Sequence, residues 1–292
     1  MNPKMMNLCP ALLLASGLLV GENLYAQPPR VDFPPPSPVC TLKQRIGLTD
    51  IEIVYSRPGV KGRTVFGGIV PFGQVWRTGA NASTKISFST PVKLNDKDVP
   101  AGKYALYTIP GESDWTIILQ TNLTASALAY NPKDDFVRFK APVGNLAEHA
   151  ETFTIDFTDV RDDSAALYLL WDQTYVPIKI QLDVVSKVLA QIDAAMASSE
   201  KKQAGFYYLA ASFYFNHDQD LKKALGWLNT GLEDKPRIAY ELLHLKAKIL
   251  AKQGDKEGAI AAAKESKESA IKAEGTSSSF VKMNDDLISN LQ

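Results

Sequence analysis

The chain is poor in cysteine and histidine and has no net charge. Its two cysteines, among 292 residues, are Cys9 and Cys40. Cys9 falls inside an apolar N-terminal run, so removal of that run leaves Cys40 alone and excludes an internal disulfide. Cys40 is expected to be a buried thiol. Neither cysteine directly follows a small-residue site at the end of the run, which excludes lipid attachment. The three histidines, His149, His217 and His244, have no ligand spacing, and His-Glu-x-x-His is absent. No metal site is expected, and no cofactor. Lys plus Arg and Asp plus Glu each total 32, so the broad positive field used on nucleic acid or anionic membranes is missing. No segment approaches the ~18 consecutive apolar residues of a membrane span. The nucleophile elbow Gly-x-Ser-x-Gly and the Gly-Lys-Ser/Thr phosphate loop are also lacking. Gly59 to Thr64 holds glycine, lysine and threonine in the wrong spacing.

What is present starts with an export signal. Met1 to Asn7 carries one cation, Lys4, and precedes the apolar run Leu8 to Val20. Leu24-Tyr25-Ala26 then offers a small-residue cleavage site. The reading is a signal peptide over 1–26, giving an exported protein, periplasmic or secreted after cleavage near Ala26. Residues 27–39 hold six prolines in thirteen positions and read as an extended linker.

Two regimes follow. Over 40–185 the apolar residues alternate, as in Phe153, Ile155, Phe157 and in Ile178, Ile180, Leu182, Val184. That period buries one sheet face and wets the other. With turns at Asn95-Asp96, Pro100-Ala101-Gly102 and Pro110-Gly111, nine or ten short strands are predicted in an antiparallel β-sandwich domain or barrel. Trp115 and Trp171 are expected in its core. Over 186–292 glycine and proline thin out and the apolar spacing becomes three and four. Tyr208, Ala211 and Phe215, then Ala224, Leu228 and Gly231 with Pro236 as terminator, resemble a tetratricopeptide repeat. A weaker copy runs through Leu243, Ala247, Leu250, Gly254, Ala259 and Ala263, without the proline. Five or six helices in a tetratricopeptide-like hairpin array are expected, with Trp227 packing between helices. The whole chain is therefore α+β, a sandwich followed by a helical domain.

One segment has an unusual charge. From Ile53 to Asn95 there is no acidic residue, against Arg57, Lys61, Arg63, Arg77, Lys85 and Lys93. The stretch is glycine-rich, and Trp76 adjoins Arg77 with Asn81 close behind. Arginine forks suit carboxylate or phosphate groups, glycines permit close backbone approach, and a tryptophan offers a stacking face. Arg57, Lys61, Arg63, Trp76, Arg77 and Asn81 are the candidate ligand-binding residues, for a small anionic or glycan ligand. The competing use of the charge is internal, because residues 148–163 carry six carboxylates against Arg161.

The residues Ser56-Arg57-Pro58, Lys61-Gly62-Arg63, Phe66-Gly67, Val70-Pro71, Gly73 and Trp76 to Asn81 also carry a family signature. So do Pro100 to Tyr104, Ile109-Pro110-Gly111, Trp115-Thr116 and Leu170-Trp171-Asp172. Together they resemble the domain of unknown function 2911 family, found in exported bacterial proteins, over roughly residues 38 to 184. The resemblance implies no activity. It does imply that the basic, glycine-rich segment is the family's hallmark. Family members tend to have an acidic residue after the asparagine, where this chain has Ala82. The readings in order are a non-catalytic ligand- or protein-binding module, an envelope hydrolase acting on carbohydrate through Asp134, Asp135, Glu148 or Asp172, and a purely structural protein whose helical repeats take a protein partner.

Overall fold

A computed structural model of the chain describes residues 32–124 and 130–292. The export signal over 1–26, and the linker up to residue 31, lie outside the described residues. Residues 37–292 form one unit.

Ten strands are found among the described residues: β1 Val39–Ile46, β2 Thr49–Ser56, β3 Thr84–Phe88, β4 Val92–Leu94, β5 Lys97–Val99, β6 Gly102–Ile109, β7 Asp114–Gln120, β8 Asp135–Pro142, β9 Gly144–Thr158 and β10 Ser164–Gln181. One sheet has the order β1-β2-β3-β6-β7-β8 and the other β5-β4-β10-β9. Every pairing is antiparallel. The alternation works as expected. Ile51, Ile53 and Tyr55 of β2, Ile86 and Phe88 of β3, and Trp115, Ile117 and Leu119 of β7 share one core with Phe153, Ile155, Trp171, Ile178 and Ile180 of the opposite sheet. This is an antiparallel β-sandwich. Asn95 and Asp96 both take positive φ, 43° and 67°, and close the β4–β5 hairpin with the twist such a turn requires. Cys40 is free and half-buried on β1.

β10 leads into six helices: α1 Val185–Ala197, α2 Ala204–Asn216, α3 Leu221–Glu233, α4 Ala239–Lys252, α5 Lys256–Glu274 and α6 Ser279–Leu291. The pairs α2/α3 and α4/α5 are the two tetratricopeptide-like hairpins. Their small residues permit close crossing, with Ala211, Ala224, Ala247, Ala259 and Ala263 all at 0 % exposure. Asp220 caps α3 through the amides of Lys222 and Lys223, and Asp255 caps α5 through that of Gly258. The missing proline of the second copy has a visible result. α3 stops after 13 residues, before Pro236, whereas α5 runs for 19 to Gly275, at φ 89°. Trp227 packs edge-on against Tyr214, centroids 4.7 Å apart. No helix of the described residues is long and apolar enough to cross a membrane.

Candidate functional site

The hallmark segment is the long connection from β2 to β3, folded over the rim of the sandwich. Three of its valines point inward and fix it there, while Ile69 and Phe72 are exposed. Val60, Val65 and Val70 are 5 %, 0 % and 5 % exposed. Backbone bridges join Gly59 to Thr152 on β9 and Trp76 to Thr108 on β6, so the loop spans both sheets. The amide of Val60 donates to Glu151 O at 2.7 Å, and that of Phe153 to Pro58 O at 2.9 Å. The basic segment and the acidic 148–163 stretch are therefore neighbours, joined by backbone pairing and by the Glu151 carboxylate.

Trp76 needs a correction. It was expected to present a stacking face to a ligand, yet it is buried in the core. Its ring stacks on Trp171 and meets Phe153, Trp115 and Phe66 edge-on, with centroids 5.0 to 6.1 Å away. Its indole N–H donates to Gly79 O at 2.9 Å. Burying so large a ring outweighs any use at the surface. Gly79 lies at φ 146°, and a Cβ there would stand 2.9 Å from Ser56 O. Glycine is what allows the loop to turn back under the tryptophan.

The cations surround this plug in two groups. On the β9 side, Arg57 donates from Nε to Phe153 O (3.2 Å) and from Nη2 to Thr154 Oγ1 (2.7 Å). Arg63 donates from Nε to Val60 O and from Nη2 to Gly59 O, at 3.0 and 2.6 Å, and is exposed. Lys61 is exposed at φ 50°, its amide donating to Glu151 Oε1 at 2.9 Å. On the β3 side, Arg77 Nη1 donates to Asn81 O at 2.6 Å. Asn81 reaches Ser37 O and Ser56 Oγ, both at 3.3 Å. Lys85 lies beyond, with Nζ 2.5 Å from Ser83 Oγ. Burial, aided by the charge of Lys103, pushes the Lys85 ammonium below its ordinary range. Arg57, Arg63 and Arg77 are thus held by neutral oxygens. Among the described residues none of the three pairs with a carboxylate.

The carboxylates named for hydrolysis do not share one place. Asp134 accepts from Asn122 Nδ2, at 3.1 Å. Asp135, on β8, accepts from Gln120 Nε2, the Tyr130 hydroxyl and Arg138 Nε. Asp172 is on the other sheet, 3.2 Å from His149 Nε2, and Glu148 is exposed on β9. Among the described residues no group of three or more His, Cys, Asp or Glu is placed to hold a metal ion.

Tyr55 and the partners of Asp135 also shape the sandwich. Tyr55 puts its hydroxyl on the β9 backbone, donating to Ile155 O (3.3 Å) and accepting from Ile155 N (3.0 Å). The alternation Ile51, Ile53, Tyr55 already put it on the inner face and was the available signal. Of the Gln120–Tyr130–Asp135–Arg138 cluster only Asp135 is legible in the sequence, as a candidate carboxylate, since its partners are assembled by the β7–β8 pairing.

Residues 37–180 match the family model described as "Protein of unknown function (DUF2911)". No curated protein and no solved structure matches the chain.

Proposed function

With residues 37–180 belonging to the DUF2911 family, we propose that this protein is an exported, non-catalytic module that binds an anionic ligand on the rim of its sandwich. One observation carries the reading. Arg57, Arg63 and Arg77 are oriented by carbonyl and hydroxyl oxygens, which fix the guanidinium groups without cancelling their charge. A cation satisfied by a carboxylate is neutralised. One satisfied by a carbonyl still attracts an anion and is already oriented for it. The rim also bears Lys61 and Asn81, while Trp76 supports it from below. The ligand class is a carboxylated or phosphorylated small molecule, anionic glycans included. The hydrolase reading is weaker, because Asp135 and Asp172 stand on different sheets and Asp135 already accepts from three donors of its own chain.

Calorimetric titration with anionic sugars and organic phosphates tests this. The expectation is saturable binding that weakens in Arg63→Ala and again in Arg77→Ala, with unchanged circular dichroism. No binding of any such ligand, or binding indifferent to both substitutions, sinks the reading. Fractionation of the native host for the processed chain tests export. A full-length product confined to the cytoplasm contradicts it.

A further inference from the structure

The helical domain holds a cavity of about 610 Å³ between α3 and α5, the second helices of the two hairpins, floored by one face of α4. Its walls have a marked charge asymmetry. Lys235 and Arg237 come from the α3–α4 turn, Lys246 from α4 and Lys272 from α5, against the single carboxylate of Glu265. Ser266 Oγ donates to Tyr240 O at 2.6 Å, which fixes the level of the antiparallel α4/α5 pair. Lys272 therefore comes alongside Lys235 and Arg237 at one end. Lys246 lies nine residues along from Arg237, at the other end, where its Nζ donates to Asn229 Oδ1 at 2.9 Å. The seven helical rises from Ala239 to Lys246 span about 10 Å. Between the two ends the floor is apolar, made by Leu232 and the buried Leu243. Glu274, outside the lining, keeps its charge: bonds from the Ser278 and Tyr240 hydroxyls at 2.6 Å each, and the charge of Arg237, hold its carboxyl below the ordinary range, so the three-cation end stays net positive.

We propose that this groove binds an acidic peptide segment, carboxylates at the three-cation end and an apolar side chain on Leu243. A single inorganic anion would use one end only. A segment whose acidic and apolar groups are spread along about 10 Å, roughly three residues of extended chain, uses both ends and the floor. Charge complementarity selects an acidic partner, and the apolar floor selects peptide over a uniformly polar anion. The site is separate from the sandwich rim and stands or falls without it.

The test is fluorescence anisotropy of the full chain with a labelled peptide alternating glutamate and leucine. Saturable binding is expected, weakened about tenfold in the double variant Arg237→Ala/Lys272→Ala and abolished by Lys272→Glu. The variants must keep the parent's thermal melting, and Arg77→Ala must bind the peptide as the parent does. A glutamine–leucine peptide must fail to bind. The proposal is overturned if the substitutions leave affinity unchanged, or if oligoglutamate without leucine binds equally well. It is also overturned if a sulfated oligosaccharide binds where the peptide does not. Should Lys272→Glu alter the melting, Lys246→Gln supplies the second variant, and unchanged peptide affinity in it is likewise negative.

Discussion

Trp76 and Trp171 stack with ring centroids 5.7 Å apart and 18° between their planes. One belongs to the hallmark loop and the other to β10, so this pair fastens the loop to the second sheet. The most recognisable residue of the basic segment is thereby a structural one. Trp76→Ala is expected to destabilise the protein by about 3–5 kcal/mol, the usual cost of emptying a buried aromatic site. Trp76→Phe keeps an aromatic ring but loses the bond to Gly79 O and is expected to fall between the two. Urea unfolding followed by near-ultraviolet circular dichroism checks both, and equal stability of Trp76→Ala and parent would contradict the packing role.

Two glycines should respond to alanine in opposite directions. Gly79→Ala forces a side chain into φ 146° and against Ser56 O, at a cost of about 1–3 kcal/mol. Gly226 is exposed on α3, with nothing within 4 Å of the added methyl. Gly226→Ala is expected to stabilise by about 0.5–1 kcal/mol, because it removes unfolded-state freedom from a helix interior. Thermal melting of the two variants beside the parent decides the signs.

These contrasts show what the sequence could convey. Period-two alternation identified Ile155, Ile178 and Ile180 as inward-facing because each strand obeys it independently of its partners. The Asn95-Asp96 turn and the repeat alanines of α4 and α5 were legible for the same reason, since short-range sterics fix them. The roles of the hallmark cations were not. Arg57 takes its acceptors from Phe153 and Thr154, almost a hundred residues away, and only the folding of β9 against the loop reveals that they are uncharged. A tryptophan beside an arginine looks the same in sequence whether its ring turns out, as expected of Trp76, or in, as found.

The Tyr130 phenol provides an alkaline signature. Burial is the main cause that raises it to about 12, and its hydrogen bond to the Asp135 carboxylate adds to the effect. The unfolded chain loses this proton near the ordinary 10. The folded state thus holds it longer, and this contribution to stability is complete below pH 10 and lost as pH rises toward 12. In Asp135→Asn the tyrosinate absorbance attributable to Tyr130 should appear at lower pH than in the parent, though above 10, because burial remains. Coincident titrations in the two proteins would remove Asp135 as a cause.

His244 should make the last helix sensitive to acid. It is buried on α4, and its Nδ1 lies 2.8 Å from Asn284 Oδ1. Asn284 is the buried residue of α6 and also donates to Ser266 Oγ and Phe280 O, at 2.9 and 2.7 Å. Burial pushes the imidazole below its usual 6.5, outweighing the Asn284 bond, and the charge of Lys248 acts in the same direction. The folded state therefore resists protonation that the unfolded chain accepts. Stability from this group is complete above pH 6.5 and declines as pH falls from there through the depressed folded value. The loss should be felt first where α6 docks, since a cationic ring buried between α4 and α6 carries a desolvation cost that the Asn284 bond does not offset. Amide exchange on α6, corrected for intrinsic rates, is expected to lose protection between about pH 7.5 and about pH 5.5 while β6 and β7 do not. His244→Gln keeps a partner for Asn284 but cannot titrate in this range. Its α6 should therefore exchange alike at both pH values, and an undiminished acid response in that variant would assign the sensitivity to another group.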